Sequence, residues 1–310
     1  MFSIGDYVKR SDLQKKIDLK TLSDQELKLL QESILDIYRD VLSVCDKSGI
    51  RVMMVAGSAI GAVRHKGFIP WDDDMDFLVS RDDYYPFVEN FCKELGDKYH
   101  VISPFAITKY HDICIRIVRK DMNLISLWDN KRIYPNGVAL DIATYENVPN
   151  NLLLRILHGF VSDSMLFITN SRRMVLCRTN VTDSFFGLTF KSKFFYAIRL
   201  LIGELAAIIP YKTWCSCFDR WGALFKNKRG KWVTIPAGGV HYFGEMVHSD
   251  VFSPVQEGIF EGLKAYLPNK YDEYLKNRYG EDYMTIPPEE KREKHQFVEF
   301  GVNSSDRVIL

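Results

Sequence analysis

Apolar residues recur at helical spacing through Leu27, Leu30, Ile34, Tyr38 and Val41. Directly before them stands Ser23-Asp24-Gln25-Glu26, a serine cap with a glutamate three positions on. The pattern predicts a helix that ends near Gly49. Ile50–Ala56 is short, apolar and partly β-branched, and reads as a buried strand broken by Gly57-Ser58. A short helix over Ala59–Arg64 follows, then a loop over His65–Asp73 that holds Gly67 and Pro70. Asp74–Val79 reads as a second strand, with Asp74 and Asp76 on one face and Met75 and Phe77 on the other. Ser80 then caps a helix, with Asp83 as its box partner.

Further strands are predicted at Tyr99–Ser103, Ile113–Arg119 and Val138–Ala143, the last interrupted by Asp141. From Asn150 to about Lys226 the pattern turns helical, and the tail from Tyr266 to Pro288 is rich in tyrosine. The fold class expected is therefore α/β (α+β): a small sheet flanked by helices, with a mainly helical second half. A soft boundary at Val148-Pro149-Asn150 divides residues 1–149 from a mainly helical region, residues 150–310, packed on them.

Composition changes this picture little. The chain has 310 residues, 46% hydrophobic and 26% charged, enough for a sizeable core. A net charge of +1 gives no global field towards nucleic acid, so any electrostatic function is local. Six scattered cysteines fit a reducing compartment, and Cys215-Ser216-Cys217 lacks the second pair of a zinc site. The first sixteen residues show no apolar run of a signal peptide, and charges interrupt the greasy stretches around 152–170 and 185–211. Cytoplasmic placement is expected, with basic residues flanking apolar helix faces as the reason to expect peripheral contact at the inner face of the plasma membrane.

Chemistry concentrates in GFIPWDDDMDFLVS, residues 67–80, where Asp72, Asp73, Asp74 and Asp76 run into an apolar segment. Two carboxylates on one strand face do not both stay ionised cheaply without a cation. A hard divalent ion such as Mg²⁺ meets that need and takes substrate phosphates as further ligands. Asp141, alone among apolar neighbours, is the natural third acid. Gly57-Ser58 ends a strand and opens a helix, a place where backbone N–H groups hold phosphate. Arg64, His65 and Lys66 offer cationic groups for the same phosphate. Blander readings stand beside these. An EF-hand starting at Asp72 fails, because Phe77 occupies the glycine position and Asp83 the glutamate position. Asp72 and Asp73 read more readily as a solvated turn or as partners for Arg64 and Lys66 than as metal ligands, while His65 reads equally as a structural histidine, Trp71 as core packing and Arg116 as a surface ion pair.

Residues Gly57 to Asp76, GSAIGAVRHKGFIPWDDDMD, resemble the signature of the LicD family, which transfers phosphocholine and related alditol phosphates onto glycans and includes the fukutin-type proteins. The tail is similar as well, through Phe260-Glu261-Gly262, Pro268, Tyr271, Tyr274-Leu275, Tyr279-Gly280, Pro287-Pro288-Glu289-Glu290, Lys291-Arg292 and His295. The resemblance implies a nucleotidyltransferase-like fold with a small mixed sheet. It implies Mg²⁺ (or Mn²⁺) held by Asp74, Asp76 and Asp141, and a CDP-linked donor from which CMP leaves. It also implies a glycan acceptor, free or lipid-linked, in a capsule, teichoic acid or lipopolysaccharide. Gly57, Ser58, Arg64, His65, Lys66, Trp71 and Arg116 are then the candidate substrate-binding residues. The chain departs from the pattern at Ser58, where threonine is common, and at Asp141-Ile142-Ala143-Thr144, where Asp-Ile-Phe-Pro is common. Two competing readings remain: a nucleotide-sugar glycosyltransferase using the D-x-D, and a non-catalytic binding module on the same fold.

Overall fold

The computed structural model describes residues 21–126, 135–228, 230–292 and 297–302. The N-terminal stretch read for a leader and His295 of the tail pattern lie outside these residues.

Helix α1 (Asp24–Ser48) is closed at both ends as its sequence requires. Glu26 N–H donates to Ser23 Oγ (3.3 Å), and Ser23 N–H donates to Glu26 Oε2 (3.0 Å). Gly49 ends the helix at φ 69°, a left-handed conformation that glycine adopts without steric cost. Its apolar stripe, with Leu30, Ile34, Tyr38 and Val41 fully buried, faces the sheet, and the Tyr38 ring stacks on Phe77 at 4.9 Å.

Strands β1 (Met53–Met54), β2 (Asp76–Ser80), β3 (Tyr99–Ile102), β4 (Ile115–Arg119) and β6 (Ala139–Asn147) form the main sheet in the order β1-β2-β6-β4-β3, while β5 (Met122–Ser126) lies in another. Strand β6 runs parallel to β2 and antiparallel to β4, so the sheet is mixed, and α3 (Arg81–Leu95) follows β2 from the predicted Ser80 cap. Helix α2 (Ala56–Ile60) continues into a π-turn over Gly61–His65.

The strand predicted over Ile50–Ala56 shrinks to two residues. It pairs only through Met53 with Leu78 and Met54 with Phe77, and at Ala56 the backbone turns to φ 49° and enters α2. Ile50, Val52 and Val55 are still buried, so the apolar run reported burial rather than ladder length. Likewise β2 begins at Asp76 and not at Asp74, which leaves Asp74 in the preceding loop. The strand around Asp141 is longer than predicted, because its polar second half finds a further partner.

That partner comes from the second half of the chain. Helices α4 (Leu152–Leu176), α5 (Asn180–Phe186), α6 (Phe190–Leu205) and α7 (Tyr211–Gly222) form the predicted helical stretch. Strand β7 (Trp232–Thr234) then pairs antiparallel with the end of β6, Glu146 opposite Thr234. Short helix α8 (His241–Gly244) and β8 (Val247–His248) follow, with β8 on β7. The hairpin β9 (Gln256–Phe260) and β10 (Leu263–Leu267) precedes α9 (Tyr271–Tyr279), and β11 (Phe297–Val302) pairs with β5. Phe252, Phe260, Leu267 and Leu275 belong to the same buried cluster as Ile34, Phe77 and Ile142. The line at residue 149/150 therefore separates sequence patterns, while one core spans both sides.

Candidate active site

The site grows from the parallel pairing of β2 with β6. Asp76 and Asp141 are register partners, so both side chains leave the same face of neighbouring strands, roughly 4.8 Å apart along the hydrogen-bonding direction. On the other side of β6, Arg116 is the register partner of Asp141. Its Nε donates to Asp141 Oδ1 at 2.7 Å and its Nη2 to Oδ2 at 2.9 Å, a bidentate fork that fixes the carboxylate plane. All three residues wall a cleft of about 440 Å³.

The rest of the wall comes from distant segments. Arg173 on α4 pairs with Asp112 at 3.2 Å, and Tyr211 O–H donates to the other Asp112 oxygen at 3.0 Å. Arg278 on α9 pairs with buried Glu245 at 3.4 Å. Asp112, Arg173, Glu245, Tyr274 and Arg278 all line the cleft and were missed by sequence reasoning. Their separation in the chain gives no spacing signal. The one cue was Arg172-Arg173 breaking an apolar helix. Three arginines alternating with four carboxylates make a surface suited to a ligand that carries both anionic phosphate and a cation.

The Gly57–Asp76 signature turns out to be a packing unit around Asp76. Ser58 is buried, and its Oγ accepts the Asp76 N–H at 2.9 Å, while Asp76 O accepts the Val55 N–H at 3.1 Å. The backbone of the acid is thereby pinned on both sides. A Cβ on Gly57 would come within 3.0 Å of the Asp72 carboxylate, and one on Gly61 within 2.5 Å of the Gly67 carbonyl oxygen. The second contact is with a backbone oxygen that cannot swing aside, so only glycine fits at position 61.

Carboxylate oxygens of Asp72, Asp73 and Asp74 can be drawn within 4.8 Å of one another, a spacing that could hold a metal ion. Oxygen donors of this kind suit a hard divalent cation. The triad Asp74, Asp76 and Asp141 expected from the resemblance is distributed differently. Asp76 and Asp141 meet in the cleft, Asp74 clusters with Asp72 and Asp73, and Asp141 is held by Arg116.

Arg64, His65, Lys66 and Trp71, expected to meet substrate, do not wall this cleft. Arg64 donates through Nη1 to the Tyr283 and Thr285 carbonyls at 2.9 and 3.2 Å and through Nε to His65 Nε2 at 2.9 Å. It ties the signature helix to the tail. Burial, and then the Arg64 charge, hold the His65 imidazole below its ordinary range, so it stays neutral as an acceptor. Lys66 closes the π-turn at φ 59°, and the Arg292 guanidinium lies 4.3 Å over the Trp71 ring. Beside the cleft, Arg81 forks onto buried Glu146 and also donates to Asp219 at 2.9 Å. Burial pushes the Glu146 carboxyl up to about 7, and the cluster holds β6, α3 and α7 together.

Residues 49–123 match the family model described as LicD/FKTN/FKRP, nucleotidyltransferase domain. Along 286 residues, 91% of this chain and 98% of the relative, it is 25% identical to the lipopolysaccharide cholinephosphotransferase LicD of Haemophilus influenzae. Uncharacterised proteins of Rickettsia typhi and Rickettsia prowazekii are 31% and 32% identical over 43% and 42% of this chain, and about half of each relative is covered. The matched domain carries α2, the acidic run and β2 to β4, the elements that place Asp76 and Arg116. The chain is thus similar to the LicD family, through the nucleotidyltransferase domain matched at residues 49–123 and through a relative aligned along nearly its whole length.

Proposed function

We propose that this protein transfers a phospho-alcohol, phosphocholine foremost, from a CDP-linked donor to a hydroxyl of a cell-surface glycan such as lipopolysaccharide, and releases CMP. One observation carries the reading: Asp76 and Asp141 stand side by side across β2 and β6 in an arginine-lined cleft. The name of the Haemophilus relative supports phosphocholine as the group and lipopolysaccharide as the acceptor.

In the reaction the acceptor oxygen attacks the phosphorus that bears the alcohol. A new P–O bond forms while the bond from that phosphorus to the bridging oxygen breaks, and CMP leaves with the electron pair. Arg116, Arg173 and Arg278 neutralise the diphosphate and hold it in line with the attacking oxygen. Asp141, oriented by the Arg116 fork, accepts the hydroxyl proton. Asp72, Asp73 and Asp74 bring carboxylate oxygens close enough that they would hold Mg²⁺ or Mn²⁺, with Asp76 facing the cleft two positions on, and the ion would supply further charge neutralisation when bound. Six free cysteines suit a reducing compartment, and we place the reaction in the cytoplasm.

The test is a donor screen with CDP-choline, CDP-glycerol, CDP-ribitol and UDP-sugars. CMP release from CDP-choline, reduced at least about 100-fold in Asp76→Asn and abolished by EDTA, is the expected result. UDP release instead would replace this reading with the glycosyltransferase, and no turnover with any donor would favour the binding module.

A further inference from the structure

Helices α4 and α6 pack together where Ser171 meets Gly203, and each turns an apolar face to solvent. On α4, Leu153, Leu157 and Phe160 fall on one face, and Leu153 is 77% exposed. The opposite face carries buried His158, Ser162 and Thr169. On α6 and the turn after it, Phe190, Phe194, Leu201, Leu205 and Ile208 recur at helical spacing, with Phe190 and Ile208 each 88% exposed. Buried Ser192, Tyr196 and Gly203 lie opposite. A monomer in water rarely leaves so long a pair of apolar stripes uncovered.

The charges around these stripes say what covers them. Lys191 and Lys193 are exposed and flank the α6 stripe on its two sides at helical spacing. Residues 152–228 hold eleven lysines and arginines against four aspartates and glutamates, a net +7 in a chain of net +1. An apolar stripe edged by lysines on a basic segment is complementary to an anionic bilayer surface, where the rings and leucines enter the acyl boundary and the ammonium groups reach phosphate.

The arrangement suits lying on a membrane better than crossing one. Helix α4 is long and apolar enough to cross a bilayer. Yet it is tied to the rest of the fold over most of its length. Tyr242 O–H donates to His158 Nδ1 at 2.9 Å, Tyr242 N–H donates to Asp163 at 3.0 Å, and Arg173 pairs with Asp112 in the cleft. A spanning α4 would tear away these contacts with α8 and with the loop before β4. The α6–α7 pair is likewise bent by 93° between its halves.

We propose that the exposed faces of α4 and α6 form an in-plane docking surface for an anionic lipid bilayer. Because α4 also contributes Asn170 and Arg173 to the cleft, docking sets the catalytic wall at a fixed relation to the lipid surface. Vesicle binding is read without turnover, so its failure and the failure of the phosphotransfer reading are separable.

The full chain is floated with vesicles of phosphatidylcholine alone and of phosphatidylcholine containing phosphatidylglycerol. It is expected to float with the phosphatidylglycerol vesicles, to bind phosphatidylcholine alone at least about tenfold less, and to be released by about 0.5 M NaCl. The triple variant Phe190→Ser, Leu201→Ser, Leu205→Ser should lose binding at least about tenfold with an unchanged circular dichroism spectrum, and Lys191→Gln with Lys193→Gln should lose the preference for phosphatidylglycerol. The proposal is overturned if the parent chain fails to float, or if the triple variant floats as well as the parent. It is also overturned if the chain resists salt and alkaline carbonate as a spanning protein does, or forms a dimer that the triple variant abolishes.

Discussion

Ser58 is the residue whose role changed most between sequence and structure. A hydroxyl beside a glycine at a helix start reads as a phosphate donor. Its oxygen also accepts the Asp76 N–H, which makes Ser58 a positioning residue for the acid. Loss of one such bond costs about 1 kcal/mol of stability. Ser58→Ala should therefore lower kcat for CMP release about tenfold or more while leaving donor KM within a few-fold, and Ser58→Thr should restore it. A rise in KM with kcat unchanged would return Ser58 to the phosphate. Arg116 shows the converse. In the sequence it weighed equally as a phosphate ligand or as a surface ion pair. Its fork onto Asp141 became visible only when β4 and β6 came into register.

Among the elements, α4 links the helical region to the cleft. His158 sits at its inner face, 2% exposed, stacked on Trp221 and bonded through Nε2–H to the Trp221 carbonyl at 2.9 Å. With that nitrogen donating, Nδ1 is the acceptor for Tyr242 O–H. Burial holds the imidazole below its ordinary 6.5, against the partial support of the Trp221 carbonyl. The unfolded chain thus binds a proton below about pH 6.5 that the folded chain refuses until lower pH. Stability from this group is complete above pH 6.5 and falls on acidification, at no more than about 1.4 kcal/mol per pH unit. Urea unfolding of the parent chain should weaken from pH 7 to pH 5.5, and His158→Asn, though less stable at pH 7, should show a shallower slope. Equal slopes would mean that other groups carry the dependence.

For the whole molecule, the question is whether the N-terminal portion is a unit. Its pattern ends cleanly near Pro149, but β6 needs β7, β1 packs on the β9–β10 hairpin, and Tyr38 O–H donates to the Lys264 carbonyl at 2.8 Å. Buried Phe252, Phe260 and Leu275 each contribute roughly 1.5–3 kcal/mol of burial to the shared core. Residues 1–149 expressed alone should therefore aggregate or bind hydrophobic dye without a cooperative melt, whereas the full chain melts in one transition. A soluble fragment with a sharp melt would show that the first half carries its own core.

Local chemistry was legible in the sequence because it is decided within a few residues. The Ser23 and Ser80 caps, the Gly49 stop, the helical run after Asn150 and the acidic segment all depend on neighbours within one turn or one strand. The signature could be recognised for the same reason, since its glycines, serine and aspartates pack on one another. Long-range pairing decided the rest. Whether Asp74 or Asp76 faces the cleft depends on where β2 begins to pair with β6, and Arg173 and Arg278 enter only because α4 and α9 fold back on that sheet. Such contacts follow from how the burial of many apolar faces is satisfied at once, and no short window of sequence contains that information.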